Sequence, residues 1–196
     1  MTTYGLTGGV GMGKSAAADL LRARGLPVVD TDELARQVAE RGQPALAEVS
    51  RLFGPGVLTP EGTLRRQELA ERVFADPVAR KQLETILHPR IRALWRAQLA
   101  AWRKESCPCA VVVIPLLFET GAEAELDKTI CVACSAATQR QRLLDRGWTP
   151  DQIEQRLQAQ WPIEQKMARA NYVIWTEGSP DLLAAQLDRI LPRATG

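Results

Sequence analysis

The chain has 196 residues, enough for one substantial core with a small insertion and too few for two domains of average size. Hydrophobic residues at 45% and charged residues at 24% are ordinary globular proportions, which excludes low-complexity and fibrous chains. Lys and Arg at 25 against Asp and Glu at 23 leave a net charge of +2, so bulk electrostatics offers no attraction to nucleic acid or to an anionic membrane, and any basic site has to be local.

The first predicted element is a short strand, Thr3-Tyr4-Gly5-Leu6-Thr7, part β-branched or aromatic. It enters Gly8-Gly9-Val10-Gly11-Met12-Gly13-Lys14-Ser15, which reads G-x-x-x-x-G-K-S, the pattern of a phosphate-binding loop. Glycines let backbone N–H groups turn onto phosphate oxygens, Lys14 can reach the β/γ-phosphates, and the Ser15 hydroxyl can ligate Mg²⁺. A helix rich in Ala16-Ala17-Ala18 and Leu20-Leu21 follows, its start adding free amides and a positive dipole end, and Gly25 with Pro27 closes it. Strand, loop and helix thus fall in the order a real nucleotide site requires, which a chance glycine-rich turn does not.

Leu26-Pro27-Val28-Val29-Asp30 reads as a short parallel strand whose C-terminal end carries acid, and Asp30-Thr31-Asp32 closes it. Two carboxylates at a strand end suit a general base for a substrate hydroxyl and a ligand of Mg²⁺, direct or through water; equally, Asp32 suits the N-cap of the helix that begins Glu33-Leu34-Ala35-Arg36. From Glu33 to about Arg103 the pattern is helical, with Asp76-Pro77 as a cap and turns at Gly54-Pro55-Gly56 and Thr59-Pro60-Glu61-Gly62. That block is too long for a simple crossover and predicts an inserted substrate-binding subdomain. The chain's one histidine, His88, stands before Pro89 inside it, where a hydrogen-bonded structural role is the usual one.

Residues 110–119 form the most apolar run, predicted as a central strand that leaves the ladder at Pro115 and ends at Glu119, a residue suited either to the crevice or to the start of the next segment. Lys128-Thr129-Ile130-Cys131-Val132-Ala133-Cys134 and Tyr172-Val173-Ile174-Trp175 supply two more strands, the last followed by a Ser179-Pro180 cap and a closing helix. Between them lie Arg140, Arg142 and Arg146, then a capping box at Thr149-Pro150-Asp151-Gln152 that starts a helix carrying Arg156, Gln160 and Lys166. Most surface arginines merely face solvent, but a cationic hairpin here also suits a kinase lid that places guanidinium groups on transferring phosphate and excludes water. Cys107, Cys109, Cys131 and Cys134 read as buried or incidental thiols rather than a zinc site, since no histidine lies near either pair. No apolar run approaches the ~20 residues of a membrane span and the N-terminus shows no signal segment, so a cytoplasmic protein is expected, with disorder confined to residues 192–196.

Taken together, Gly5-Leu6-Thr7 with the phosphate loop, Asp30-Thr31-Asp32 with Ala35-Arg36, His88-Pro89, Pro115-Leu116-Leu117-Phe118-Glu119, and Gln139, Arg142, Arg146, Arg156 and Gln160 resemble the dephospho-CoA kinase family over nearly the whole chain. The resemblance implies an α/β P-loop NTPase three-layer fold: a parallel sheet with the nucleotide-binding core at 1–32, 106–138 and 168–196, a helical CoA-substrate domain at 33–105 and a helical lid at 139–167. It implies transfer of the ATP γ-phosphate to the 3′-hydroxyl of the dephospho-CoA ribose, the last step of coenzyme A synthesis, with ATP bound by Gly11, Met12, Gly13, Lys14, Ser15, Ala16 and Arg146 and Mg²⁺ by Ser15, with Asp32 through water. Asp32 is then the base, Lys14 and Arg142 stabilise the transferring phosphoryl group, and His88, Pro115, Leu116, Leu117 and Glu119 belong to the acceptor site. A monomer or weak homo-oligomer is expected, with small-molecule substrates and neither nucleic acid nor membrane as partner. The chain departs from the family pattern around its last strand, with Ala170-Asn171 before it and Trp175-Thr176-Glu177-Gly178 after it, and has Ala16 where threonine is common. Another P-loop nucleoside or nucleotide kinase shares the loop and lid but needs a different acceptor pocket, and a nucleotide-dependent switch needs no acceptor base.

Overall fold

Five strands pair entirely in parallel in the computed structural model, which describes residues 1–191. They are β1 (Thr2–Thr7), β2 (Val28–Asp30), β3 (Cys109–Val113), β4 (Lys128–Ala133) and β5 (Tyr172–Trp175), in the spatial order β2-β3-β1-β4-β5. β1 is central, pairing Leu6 with Val113 of β3 on one side and Ile130 of β4 on the other. The chain turns to one side of β1 to build β2 and β3 and to the other to build β4 and β5, which opens a crevice at the carboxyl ends of the middle strands. Every residue of β3 is buried, as a strand covered on both faces must be, and each such valine contributes about 1.5–3 kcal/mol.

The described chain divides into two compact units, one formed by Met1–Asp30 with the chain from Leu99 onward, the other by Thr31–Gln98. In the first, α1 (Lys14–Ala23) and α9 (Pro180–Ile190) lay Ala17, Ala18, Leu21, Leu183 and Leu187 against Tyr4, Leu6, Val111, Val113, Ile130, Val132 and Ile174. The other face of β1 is closed by Leu117 and Leu126, whose methyls would lie 3.0 and 2.8 Å from a Cβ at Gly5. α6 (Ala136–Asp145), α7 (Pro150–Gln158) and α8 (Ile163–Arg169) separate β4 from β5. In the second unit, α2 (Thr31–Val38), α3 (Pro44–Phe53) and α4 (Arg66–Ala75) lead to α5 (Pro77–Lys104), which continues past the unit's end. Val49, Phe53, Val57, Leu69, Val73 and Ala79 form this unit's own core. Among the described residues, no helix is long and apolar enough to cross a membrane.

Several local signals in the sequence form as read. Asp76 Oδ1 accepts from Val78 N at 2.8 Å at the start of α5, Thr149 and Gln152 close a reciprocal capping box on α7, and Ser179 accepts from Leu182 N at 3.3 Å on α9. Three details differ. The strand in residues 110–119 stops at Val113, because Pro115 has no N–H for the ladder. The helix expected to carry Arg156, Gln160 and Lys166 is two helices, since Pro162 removes an N–H and disfavours helical backbone at Trp161; Gln160 therefore sits in the elbow and Lys166 on α8. α2 begins at Thr31, so Asp32 lies inside the first helical turn rather than capping it. The tail at 192–196, expected to lack order, lies outside the described residues.

Candidate active site

The phosphate loop leaves β1 at the carboxyl edge of the sheet and enters α1 at Lys14. Gly8, at φ 149°, faces β4 so closely that a Cβ would collide with the Val132 carbonyl, and only glycine allows that approach. Gly13, at φ 97° and ψ 18°, is the left-handed residue before α1, and no side chain caps the helix there. First-turn amides of α1 thus keep their capacity for an anion, reinforced by the helix dipole. Lys14 Nζ folds back along the loop, donating to Gly8 O at 2.8 Å and Gly9 O at 3.0 Å. Ser15 and Ala16 lie exposed beside it on the first turn of α1.

Side chains from three later elements brace this loop. Thr176, just past β5, donates its hydroxyl to Met12 O at 2.7 Å and is itself buried. Its methyl and hydroxyl would both stand 3.0 Å from a Cβ at Gly13. Arg142 of α6 reaches the same place, donating to Thr176 Oγ1 at 2.9 Å, Thr176 O at 2.7 Å and Gly11 O at 3.5 Å. Gln139 Nε2 donates to Val10 O at 2.7 Å, and Val10 N donates to Gln160 Oε1 at 3.1 Å, so two glutamines hold the two peptide groups that flank Val10, one each. The departure from the family pattern at Thr176 therefore falls on a residue that supports the loop. Asn171, the other departure, ties the starts of β4 and β5, accepting from Thr129 N at 2.8 Å at the opposite edge of the sheet.

After β3 the chain places a second cluster at the carboxyl edge. Pro115 O accepts from Thr7 Oγ1 at 3.2 Å and from Lys166 Nζ at 2.8 Å, and Lys166 pairs with Glu119 Oε1 at 2.7 Å. Glu119 Oε1 also accepts from Trp161 N at 2.9 Å, while Glu119 Oε2 is buried with no hydrogen-bond partner. Leu117 is fully buried over Gly5, whereas Pro115 and Leu116 remain half-exposed. Burial pushes the Cys131 thiol up to about 11, with the ammonium groups of Lys166 and Lys14 opposing it, so both cations lie within electrostatic reach of the end of β4.

Of the remaining sequence candidates, β2 ends with Asp30 at the same carboxyl edge, and Asp32 follows as an exposed carboxylate in the first turn of α2. Arg146 is exposed at the end of α6, and Arg156 stacks its guanidinium 4.1 Å from the Trp148 ring. His88 is half-buried on α5; burial holds its pKa below the ordinary value, Glu84 opposing and Arg92 adding. Lys166, expected among the cations of the lid hairpin, is instead buried against Glu119, and Thr176, noted only as a departure from the family pattern, braces the loop. No local signal marks either: a lysine in the last turn of a helix ordinarily lies in water, and one threonine after a strand ordinarily starts a turn.

An uncapped helix start, a positive-φ glycine loop and an ammonium along it form a cradle that fits a polyphosphate, and the exposed Ser15 hydroxyl beside it is a hard oxygen donor of the kind Mg²⁺ takes. The dephospho-CoA kinase family model matches residues 2–181. The chain belongs to that family. It is thereby an ATP-dependent kinase. A dephospho-CoA kinase of Anaeromyxobacter dehalogenans is 47% identical over 100% of this chain and 93% of its own length. Among solved structures, TT1252 from Thermus thermophilus aligns with a TM-score of 0.82 at 37% identity, covering 100% of this chain and 98% of the other. A dephospho-CoA kinase from Campylobacter jejuni aligns with a TM-score of 0.69 at 25% identity, covering 96% and 94%.

Proposed function

We propose that the chain transfers the γ-phosphoryl group of ATP to the 3′-hydroxyl of the dephospho-CoA ribose, with Asp32 accepting the hydroxyl proton. The observation that carries the reading is the phosphate loop at the carboxyl edge, with Lys14 lying along it and an open α1 start beside it, in a chain the family model matches over residues 2–181. Lys14 and the first-turn amides of α1 hold the phosphates, the backbone from Gly11 to Ala16 lines them, and Lys14 with Arg142 stabilises charge as the phosphoryl group moves. Ser15, with Asp32 through water, would hold Mg²⁺, which would supply Lewis-acid neutralisation of phosphate charge when bound. Residues 33–105, with His88, receive the CoA moiety; Pro115, Leu116, Leu117 and Glu119 complete the acceptor side, the buried unpartnered Glu119 Oε2 being suited to accept from a hydroxyl. Residues 139–167 act as the lid, with Arg146 at its base. The enzyme works in the cytoplasm as a monomer or weak homo-oligomer.

The test offers the protein ATP and Mg²⁺ with dephospho-CoA, adenosine, nucleoside monophosphates or pantothenate and follows ADP release. Preference for dephospho-CoA is expected; equal or better use of another acceptor rejects the substrate assignment. Asp32→Asn should keep ATP affinity within about twofold while turnover falls by roughly 10²–10⁴. Unchanged turnover in that variant removes Asp32 as the base.

A further inference from the structure

Among the described residues, Lys166 is the sole charged side chain that is buried, with 0% of it exposed. Burying an ammonium costs several kcal/mol, and a single ion pair often only offsets that cost, so an apolar residue of similar volume would serve stability as well or better. The pair therefore calls for a reason other than stability, and its connections supply one. Lys166 Nζ binds Pro115 O and Glu119 Oε1, and Glu119 Oε1 in turn accepts from Trp161 N, in the elbow where Pro162 separates α7 from α8. Gln160, the residue before Trp161 in that elbow, accepts the N–H of Val10 in the phosphate loop. The carbonyl of Val10, in the next peptide group, is held by Gln139, so a displaced elbow would leave Val10 gripped from one side only.

We propose that Lys166 is a positioning residue for nucleotide binding: through Glu119 it fixes the elbow at Trp161, which sets Gln160 against Val10 and so holds the phosphate loop in the shape that receives ATP. The inference rests on the kinase reading above, to which it adds a residue with no contact of its own to the nucleotide. The physical link is a chain of four hydrogen-bonded or covalent steps, each within 3.1 Å where it is a hydrogen bond. It makes a demand that a purely structural lysine does not: loss of Lys166 and loss of Gln160 must be the same loss.

Titration calorimetry with ATP and Mg²⁺ on wild type, Lys166→Met, Gln160→Ala and the double variant tests this, alongside thermal unfolding and the KM for dephospho-CoA. Each single variant should weaken ATP binding about tenfold and the double variant no further, with the acceptor KM of Gln160→Ala within about twofold of wild type. Independent effects that multiply to about a hundredfold in the double variant overturn the inference, as does wild-type affinity in Lys166→Met. Removing one charge leaves Glu119 buried and unpaired, so Lys166→Met with Glu119→Gln, which removes both, keeps the test open if the single variant does not fold. That pair should fold and still bind ATP weakly; wild-type affinity, or failure to fold, overturns the inference. A wild-type protein that binds no ATP overturns the kinase reading and this inference together, whereas wild-type binding with independent variants overturns this inference alone.

Discussion

Thr176 concentrates several functions in one hydroxyl. It donates to Met12 O at 2.7 Å, lies 3.3 Å from Ala133 O and accepts from Arg142 at 2.9 Å, so the loop, the end of β4 and α6 meet on a single buried oxygen. Thr176→Val keeps the shape and removes the oxygen, leaving the Met12 carbonyl without its donor and one Arg142 N–H without its acceptor. Loss of about 1–3 kcal/mol is expected by urea unfolding, together with weaker ATP binding, because the peptide that loses its donor precedes Gly13 and Lys14. Thr176→Ser retains the oxygen and should recover most of both; a valine variant with unchanged ATP affinity would show that the loop holds its shape without this contact. The lesson for Arg142 is similar. Its guanidinium is engaged by the Thr176 turn and Gly11 O, so it braces the loop directly.

At the scale of elements, what could be read from the sequence was whatever is encoded within one contiguous stretch. The phosphate loop spans eight successive residues, β3 is an unbroken apolar run and β4 is apolar from Ile130 onward, and the capping box of α7 lies within Thr149-Pro150-Asp151-Gln152, so each was legible. The pairings that brace the site were not. Thr176 and Met12 are separated by 164 positions and Lys166 and Pro115 by 51, and no local pattern announces which lysine will be drawn into a core. The break before α8 was in plain sight as Pro162, but the cationic pattern running from Arg156 to Lys166 masked it. The spacing between β1 and β4 shows how tightly the elements constrain the loop: Gly8 lies against the Val132 carbonyl, which is backbone and cannot rotate away. Gly8→Ala should cost about 3 kcal/mol, from the collision and from the positive φ together, and should abolish measurable ATP binding even in molecules that fold. An alanine variant of wild-type stability by thermal unfolding would show that the two strands can separate there.

Across the whole molecule, two titrating groups lie in the two different units and make stability depend on acid in successive steps. His88 belongs to the unit Thr31–Gln98, and burial depresses its pKa below 6.5. The unfolded chain therefore takes up the proton first, and stability falls as pH drops through 6.5 toward the lower folded value. Glu177 belongs to the other unit, where its carboxylate accepts from the Ser135 hydroxyl, from Ser135 N at 3.0 Å and from Trp175 Nε1 at 2.7 Å. Hydrogen bonds from Ser135, Thr138 and Trp175 side chains lower its pKa from 4.5 to about 2, so its contribution is complete above 4.5 and is lost as pH falls toward 2. The two steps have the same sign and begin at different pH, the first at about 6.5 and the second at about 4.5. Urea midpoints measured at about pH 7.5, 5.5 and 3 should decline across both intervals in wild type. His88→Gln should flatten the first decline, and Glu177→Gln should lessen the second without abolishing it, because the Asp127 and Glu61 carboxyls are also held below their ordinary values by hydrogen bonds. A decline between pH 7.5 and 5.5 that survives His88→Gln would place the responsible proton elsewhere, because His88 is the chain's only histidine.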